Sequence, residues 1–256
     1  MKLTASALRG FLWLPLAISS TALAQDQHFY LKHNQTAGIT AGLTPPGDGS
    51  ETDQKDIREL QQLHATRTAA QCVRARAEMN QKFSSFFGDM VPAAAVEIVR
   101  PIAEKAGSDA LDMAFVLKRA FKRTRPLDRN LAGVGICPGM IKGPNAMAPD
   151  SFPSGHAAQG YMQGLVLAKI FTKNATAFSN RGREIGHSRL VLGVHHPSDV
   201  AAGQTIAQRT FDAISQDRNF VSEIEKVKEQ IQAGGKALKV KKQKQENPRG
   251  KPGRRR

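Results

Sequence analysis

From Asp53 to about residue 233 the chain is a succession of Ala-, Leu-, Gln-, Arg- and Glu-rich stretches with few alternating runs of β-branched residues. That texture leaves little from which to build a sheet, and it predicts an all-α, single-domain helical bundle. Helices are expected at roughly 53–68, 69–83, 92–106, 108–123, 154–172, 175–193, 198–215 and 218–233. Gly88, Gly107 and the Gly/Pro-rich stretch 133–153 separate them.

The two ends differ from this body. Lys2 and Arg9 flank an apolar run at 11–18 that leads to the small-residue pattern Ala22-Leu23-Ala24. Residues 1–24 therefore read as a secretory signal peptide cut before Gln25, because the run is well short of the roughly 20 residues a spanning helix needs. A periplasmic or secreted location is the expectation. Residues 25–52 are polar and contain Pro45-Pro46-Gly47-Asp48-Gly49-Ser50, which predicts an extended N-terminal arm before a helical domain at 53–235. The net charge of +15 suggests a nucleic-acid partner until it is divided along the chain. Residues 236–256 hold ten Lys or Arg against the single acid Glu246, so the tail accounts for +9 and the folded body for only about +4. That tail is expected to be disordered and to offer loose electrostatic contact with anionic surfaces.

Export places Cys72 and Cys137 in an oxidising compartment, where the even count permits a disulfide between them. Neither has metal-ligand spacing to another Cys or His, so no metal site is expected.

Three short motifs carry chemistry. Lys118 and Arg125 are seven residues apart, about two helical turns, which lets both leave one helix face before Pro126 ends it. The alternative is that they belong, with Arg119, Lys122 and Arg123, to the solvated face of a basic helix. Pro153-Ser154-Gly155-His156 opens an apolar helical run. Ser154 suits the N-cap, the first-turn N–H groups suit an anion, and Gly155 lets that anion approach the backbone beside His156. Finally, Ser188-Arg189 precedes His195 and Asp199, which straddle a break at Gly193 and Pro197. Asp199 can fix the tautomer of His195 and leave its other ring nitrogen free to attack. His196 reads as a wall residue, and His187 as structural.

These residues resemble the complete tripartite signature of the type 2 phosphatidic acid phosphatase superfamily. With the leader, the helical body and Leu43-Thr44-Pro45-Pro46, the chain looks most like the bacterial class A non-specific acid phosphatases. The resemblance implies the acid phosphatase/vanadium haloperoxidase type of bundle and hydrolysis of phosphate monoesters without a cofactor. It implies that His195 is the nucleophile oriented by Asp199, that His156 is the general acid, and that Lys118, Arg125, Ser154, Gly155 and Arg189 bind phosphate. Inhibition by phosphate or vanadate follows. A lipid-phosphate phosphatase and a vanadium-dependent haloperoxidase share this pocket and remain alternatives.

Overall fold

The computed structural model describes residues 28–140 and 150–246, with side chains through 234. The proposed signal peptide, residues 141–149 and the end of the tail lie outside the described residues. Nine α-helices occur among them: α1 (Thr36–Thr40), α2 (Glu51–Thr66), α3 (Ala69–Ala77), α4 (Phe83–Phe87), α5 (Ala93–Phe121), α6 (Gly155–Ile170), α7 (Ala175–Val191), α8 (Pro197–Ile214) and α9 (Arg218–Glu246). No strand is present among the described residues, and the fold is all-α. None of these helices is long and apolar enough to cross a membrane.

Local chemistry sets several helix ends. Ser50 caps α2 by accepting from the N–H of Asp53 at 3.2 Å. Thr68 and Gln71 form a capping box that starts α3, each side chain accepting from the other's backbone N–H. α3 stops at Ala77, short of the expected 83. Asn80 Oδ1 accepts from Lys82 N–H at 3.0 Å and from Ser85 Oγ at 2.9 Å, and this side-chain competitor turns the chain into α4.

The expected break at Gly107 does not occur: α5 runs unbroken through it for 29 residues. Gly107 is a packing device instead. A Cβ there would come within 3.0 Å of Gln163 Nε2 and 3.2 Å of Gln159 Cγ on α6. α6 is the central element, packed on α5, α7 and α8. It crosses α7 at backbone contact, since a Cβ on Gly164 would sit 2.7 Å from Phe178 O and one on Gly182 2.9 Å from Gly160 O. The main core runs along these helices, with Ile102, Met113, Met162, Leu167, Ile185, Ile206 and Phe220 fully buried.

The arm is not wholly extended, because it carries a 3-10 turn (His33–Gln35) and α1. It is fastened by a carboxylate. Asp109 of α5, fully buried, accepts from the N–H groups of Phe29 (2.7 Å), Tyr30 (2.8 Å) and Leu31 (3.0 Å). Tyr30 adds a hydroxyl bond to Glu223 at 2.7 Å and an edge-on contact with Phe220. A second cluster, containing Leu127, Val191, Leu192 and Val194, includes a disulfide between Cys72 and Cys137. Arg67 reinforces it by donating to Gly135 O at 2.9 Å, Ile136 O at 3.0 Å and Val191 O at 2.6 Å. At the other terminus, α9 continues to Glu246, into the stretch expected to be disordered tail.

Replacing Asp109 with Ala strands the N–H groups of the arm's first ordered residues, each costing about 1–3 kcal/mol when left unsatisfied. Urea unfolding of Asp109→Ala should show a loss of about 3 kcal/mol, and hydrogen exchange should accelerate first at residues 29–31. Unchanged exchange there would show that the carboxylate does not hold the arm.

Candidate active site

Asp199 lies in the first turn of α8 and is fully buried. Its Oδ2 accepts from Ser151 Oγ at 2.6 Å, His196 N–H at 2.7 Å and His196 Nδ1 at 3.0 Å, while Oδ1 accepts from Arg123 Nη1 at 2.7 Å. Its main-chain carbonyl accepts from Ser154 N–H at 2.9 Å, joining the start of α8 to the start of α6. His195 Nδ1 stands 3.7 Å from Oδ2, beyond hydrogen-bond distance, and has no hydrogen-bond partner among the described residues. His196, read from sequence as a wall residue, is thus the imidazole most tightly bound to Asp199. Its Nδ1 must donate to the carboxylate, so its Nε2 accepts from Arg129 Nη1 at 3.2 Å.

Behind this carboxylate is a buried network that includes Arg123, for which a solvated helix face was the alternative reading. Arg123 is 6% exposed, and its guanidinium meets Asp53 and Asp56, each at 3.2 Å, and Ser198 Oγ at 2.8 Å besides Asp199. Arg129 makes a bidentate pair with Asp53 at 2.6 and 2.8 Å. Asp53 and Asp56 sit three residues apart on α2, so one helix face carries both to Arg123. The paired acids at this spacing were a signal the sequence offered, but they belonged to none of the motifs singled out there.

Lys118 and Arg125 do come together, though not from one helix face. α5 ends at Phe121, and Lys122 takes a left-handed conformation (φ 44°). Arg125 follows in extended backbone (φ −76°, ψ 152°), as a residue before proline prefers. The turn swings Arg125 back toward Lys118, and Asp150 bridges them. Its Oδ1 accepts from Arg125 Nη2 at 2.7 Å, and its Oδ2 lies 3.9 Å from Lys118 Nζ. Arg125 Nη1 also donates to Val194 O at 2.8 Å and approaches His195 Nε2 at 3.3 Å. Nε2 therefore accepts, which leaves the proton of a neutral His195 on Nδ1, facing Asp199.

Ser154 caps α6, its Oγ accepting from Ala157 N–H at 3.3 Å. A Cβ on Gly155 would approach Leu111 Cδ1 at 2.8 Å, so its lack of a side chain lets α5 pack against the start of α6, where Lys118 Cε lies 3.9 Å from the same point. His156 is half-buried, with Nε2 3.3 Å from Met79 O and its ring against Phe86. Arg189 is 6% exposed on α7, and its Nε and Nη1 are buried with no hydrogen-bond acceptor among the described residues. His187 is exposed and takes no part. No group of three or more His, Cys, Asp or Glu among the described residues could hold a metal ion.

Burial and neighbouring charge fix the protonation pattern. Burial lowers Lys118 to about 8 and Arg189 to about 9. His195 is pushed down to about 3, by burial first and then by Arg125 and Lys118, against the pull of Asp199. His156 falls to about 2 through burial and the charges of Arg189 and His195. Burial alone would raise Asp199, but contacts with His195 and His196 and the charge of Arg123 hold it well below the usual carboxylate range. For Asp53 the bond from Arg129 dominates and again lowers it.

Residues 106–218 match the PAP2 superfamily model. A non-specific acid phosphatase from Providencia stuartii is 27% identical over 79% of this chain and 84% of its own length. One from Salmonella typhimurium is 36% identical over 32% of each chain. An acid phosphatase from Zymomonas mobilis is 34% identical over 32% of this chain and 31% of its own.

Two outcomes test the buried charges. Arg123→Met leaves three carboxylates without their shared cation, and urea unfolding should register a loss of about 3–5 kcal/mol. The pH dependence has two stages. In the unfolded chain, imidazoles with pKa near about 6.5 protonate while His156 and His195 in the fold stay neutral, so stability starts to fall below that pH. Unfolded carboxyls then take up protons below about pH 4 while Asp53 and Asp199 remain ionised, so their contribution is lost as pH falls further. Melting temperature should decline gently below about 6.5 and steeply below about 4; a flat profile between the two would mean that the buried imidazoles titrate normally. Lys118, Arg125, Arg189 and His195 all lie within residues 106–218, the stretch that matches the PAP2 superfamily model, and the chain is homologous to bacterial non-specific acid phosphatases.

Proposed function

We propose that the protein is an exported acid phosphatase that hydrolyses phosphate monoesters through a phosphohistidine at His195, without a metal. The observation that carries this reading is Arg189: a buried guanidinium with two donors that meet no acceptor among the described residues, beside the pair Lys118 and Arg125. A buried donor without a partner costs free energy, and an oxyanion is the ligand that satisfies several cationic donors at once. The names of the relatives, acid phosphatases, support the same class of substrate.

The steps follow from the tautomers. His195 is neutral, its proton directed at Asp199 and its Nε2 lone pair directed into the cation cradle. That lone pair forms the N–P bond as the P–O bond to the leaving group breaks, and the departing oxygen takes the electron pair. His156 supplies the proton to that oxygen and then takes one from the water that cleaves the phosphohistidine. Free His156 is unprotonated down to low pH; a bound phosphate dianion raises its pKa, and acidic solution fills it further. As the N–P bond forms, positive charge grows on His195 and Asp199 stabilises it. Lys118, Arg125, Arg189, the Ser154 hydroxyl and the Gly155 N–H hold the equatorial oxygens. Above pH of about 8 Lys118 loses its proton, which weakens the cradle on the alkaline side.

The leader-like residues 1–24 and the Cys72–Cys137 bond support a location outside the cytoplasm. The basic residues of the tail support weak contact with anionic surfaces.

His195→Ala should reduce phosphate release at least about a thousandfold. His156→Ala should slow an alkyl phosphate about a hundredfold or more, and p-nitrophenyl phosphate much less, because that phenolate leaves unaided. Equal losses on both substrates would remove His156 from the acid role, and full activity in His195→Ala would end the phosphohistidine mechanism.

A further inference from the structure

The three motifs place only cations and neutral donors around the phosphate, yet the structure puts a carboxylate among them. Asp150 Oδ1 accepts from Arg125 Nη2 at 2.7 Å and from Arg125 Nε at 3.2 Å, a forked contact of the kind a guanidinium makes with a phosphoryl group. Oδ2 stands 3.9 Å from Lys118 Nζ. Burial would raise this carboxyl, but the charges of Arg125 and Lys118 hold it below its ordinary value, so it is an anion in the resting protein.

A positioning role does not account for it. Arg125 is held independently by Val194 O at 2.8 Å and by its contact with His195. Lys118 is held by the main-chain carbonyl of Asp150, which any residue at this position supplies. Both cations therefore keep their places without the carboxylate. The backbone on its C-terminal side is equally fixed, because Ser151 N–H donates to Arg123 O at 2.9 Å and Ser151 Oγ to Asp199 at 2.6 Å. The Asp150 side chain, one-third exposed, is the part free to turn away.

The geometry points to Asp150 as an internal competitor of phosphate: its carboxylate occupies Lys118 and Arg125 between turnovers, and an incoming phosphoryl group must displace it. This rests on the phosphatase reading of the pocket. The carboxylate lowers affinity for substrate and product alike, so it sets KM and speeds release of inorganic phosphate. Discrimination follows too, since a monoanionic ligand displaces a carboxylate less readily than a dianion does.

The test is titration calorimetry of inorganic phosphate into the full mature chain and into Asp150→Asn, with Asp150→Ala as a second variant should the amide disturb folding. Phosphate should bind either variant about tenfold more tightly, and KM for p-nitrophenyl phosphate and the inhibition constant for phosphate should fall together. Unchanged or weaker phosphate binding in both variants overturns the inference and returns Asp150 to a positioning role. A wild-type chain that neither binds phosphate nor releases it from p-nitrophenyl phosphate sinks the phosphatase reading and the inference with it. Phosphate binding that is present and loosens on Asp150→Asn sinks the inference alone.

Discussion

A buried carboxylate that accepts from Ser151 Oγ, from the N–H and ring of His196 and from Arg123 cannot shift without breaking every one of those bonds, and Asp199 is in that position. Because its carbonyl also takes the N–H of Ser154, the same residue sets where α6 begins relative to α8. The two histidines given catalytic roles stand on either side of that junction, His156 in the first turn of α6 and His195 just before α8. Breaking the Arg123 contact would thus disturb geometry and charge together, since the arginine is shared with Asp53 and Asp56 on α2.

The network also polarises the site. Behind His195 stand three carboxylates, Asp53, Asp56 and Asp199, against the guanidiniums of Arg123 and Arg129. In front stand Lys118, Arg125 and Arg189 against Asp150. The imidazole lies between, Nδ1 toward the carboxylates and Nε2 toward the cations. This fixes which nitrogen carries the proton without a short bond to Asp199. The 3.7 Å gap is the interval across which charge on the ring would be felt once a bond forms at Nε2.

Much of this could be read from the sequence, and the failures have physical causes. The helical texture gave the fold class because helix periodicity is local. Ser154 as N-cap and Asp199 in a first turn were recoverable for the same reason, since caps act over three residues. What escaped depends on contacts distant in sequence. Gly107 looked like a breaker because propensity speaks of the isolated chain, whereas here it admits Gln163 of α6. Arg123 looked solvated because its partners are 67 to 76 residues away. The seven-residue spacing of Lys118 and Arg125 suggested a shared face, but the left-handed turn at Lys122 brings them together by another route. Asp150 belonged to no motif, and only the folded chain shows that it faces both cations.

Holding three cations close together, two of them more than nine-tenths buried, is unfavourable in the free protein, as the depressed pKa values of Lys118 and Arg189 show. That cost has a use. On the proposed phosphatase reading, groups already stripped of water need not be dehydrated when a phosphoryl group arrives, so more of their attraction is realised as charge shifts during reaction. The cost must be offset elsewhere, and the offset is visible: α6 and α7 in backbone contact through glycines, a core of fully buried apolar side chains, and a disulfide in the cluster that holds Val194. Rigidity matters as much as stability here, because cations that repel one another would separate in a loose scaffold. The close helix packing and the Asp199 network keep them together, with the Asp150 carboxylate already offsetting part of the repulsion between Lys118 and Arg125.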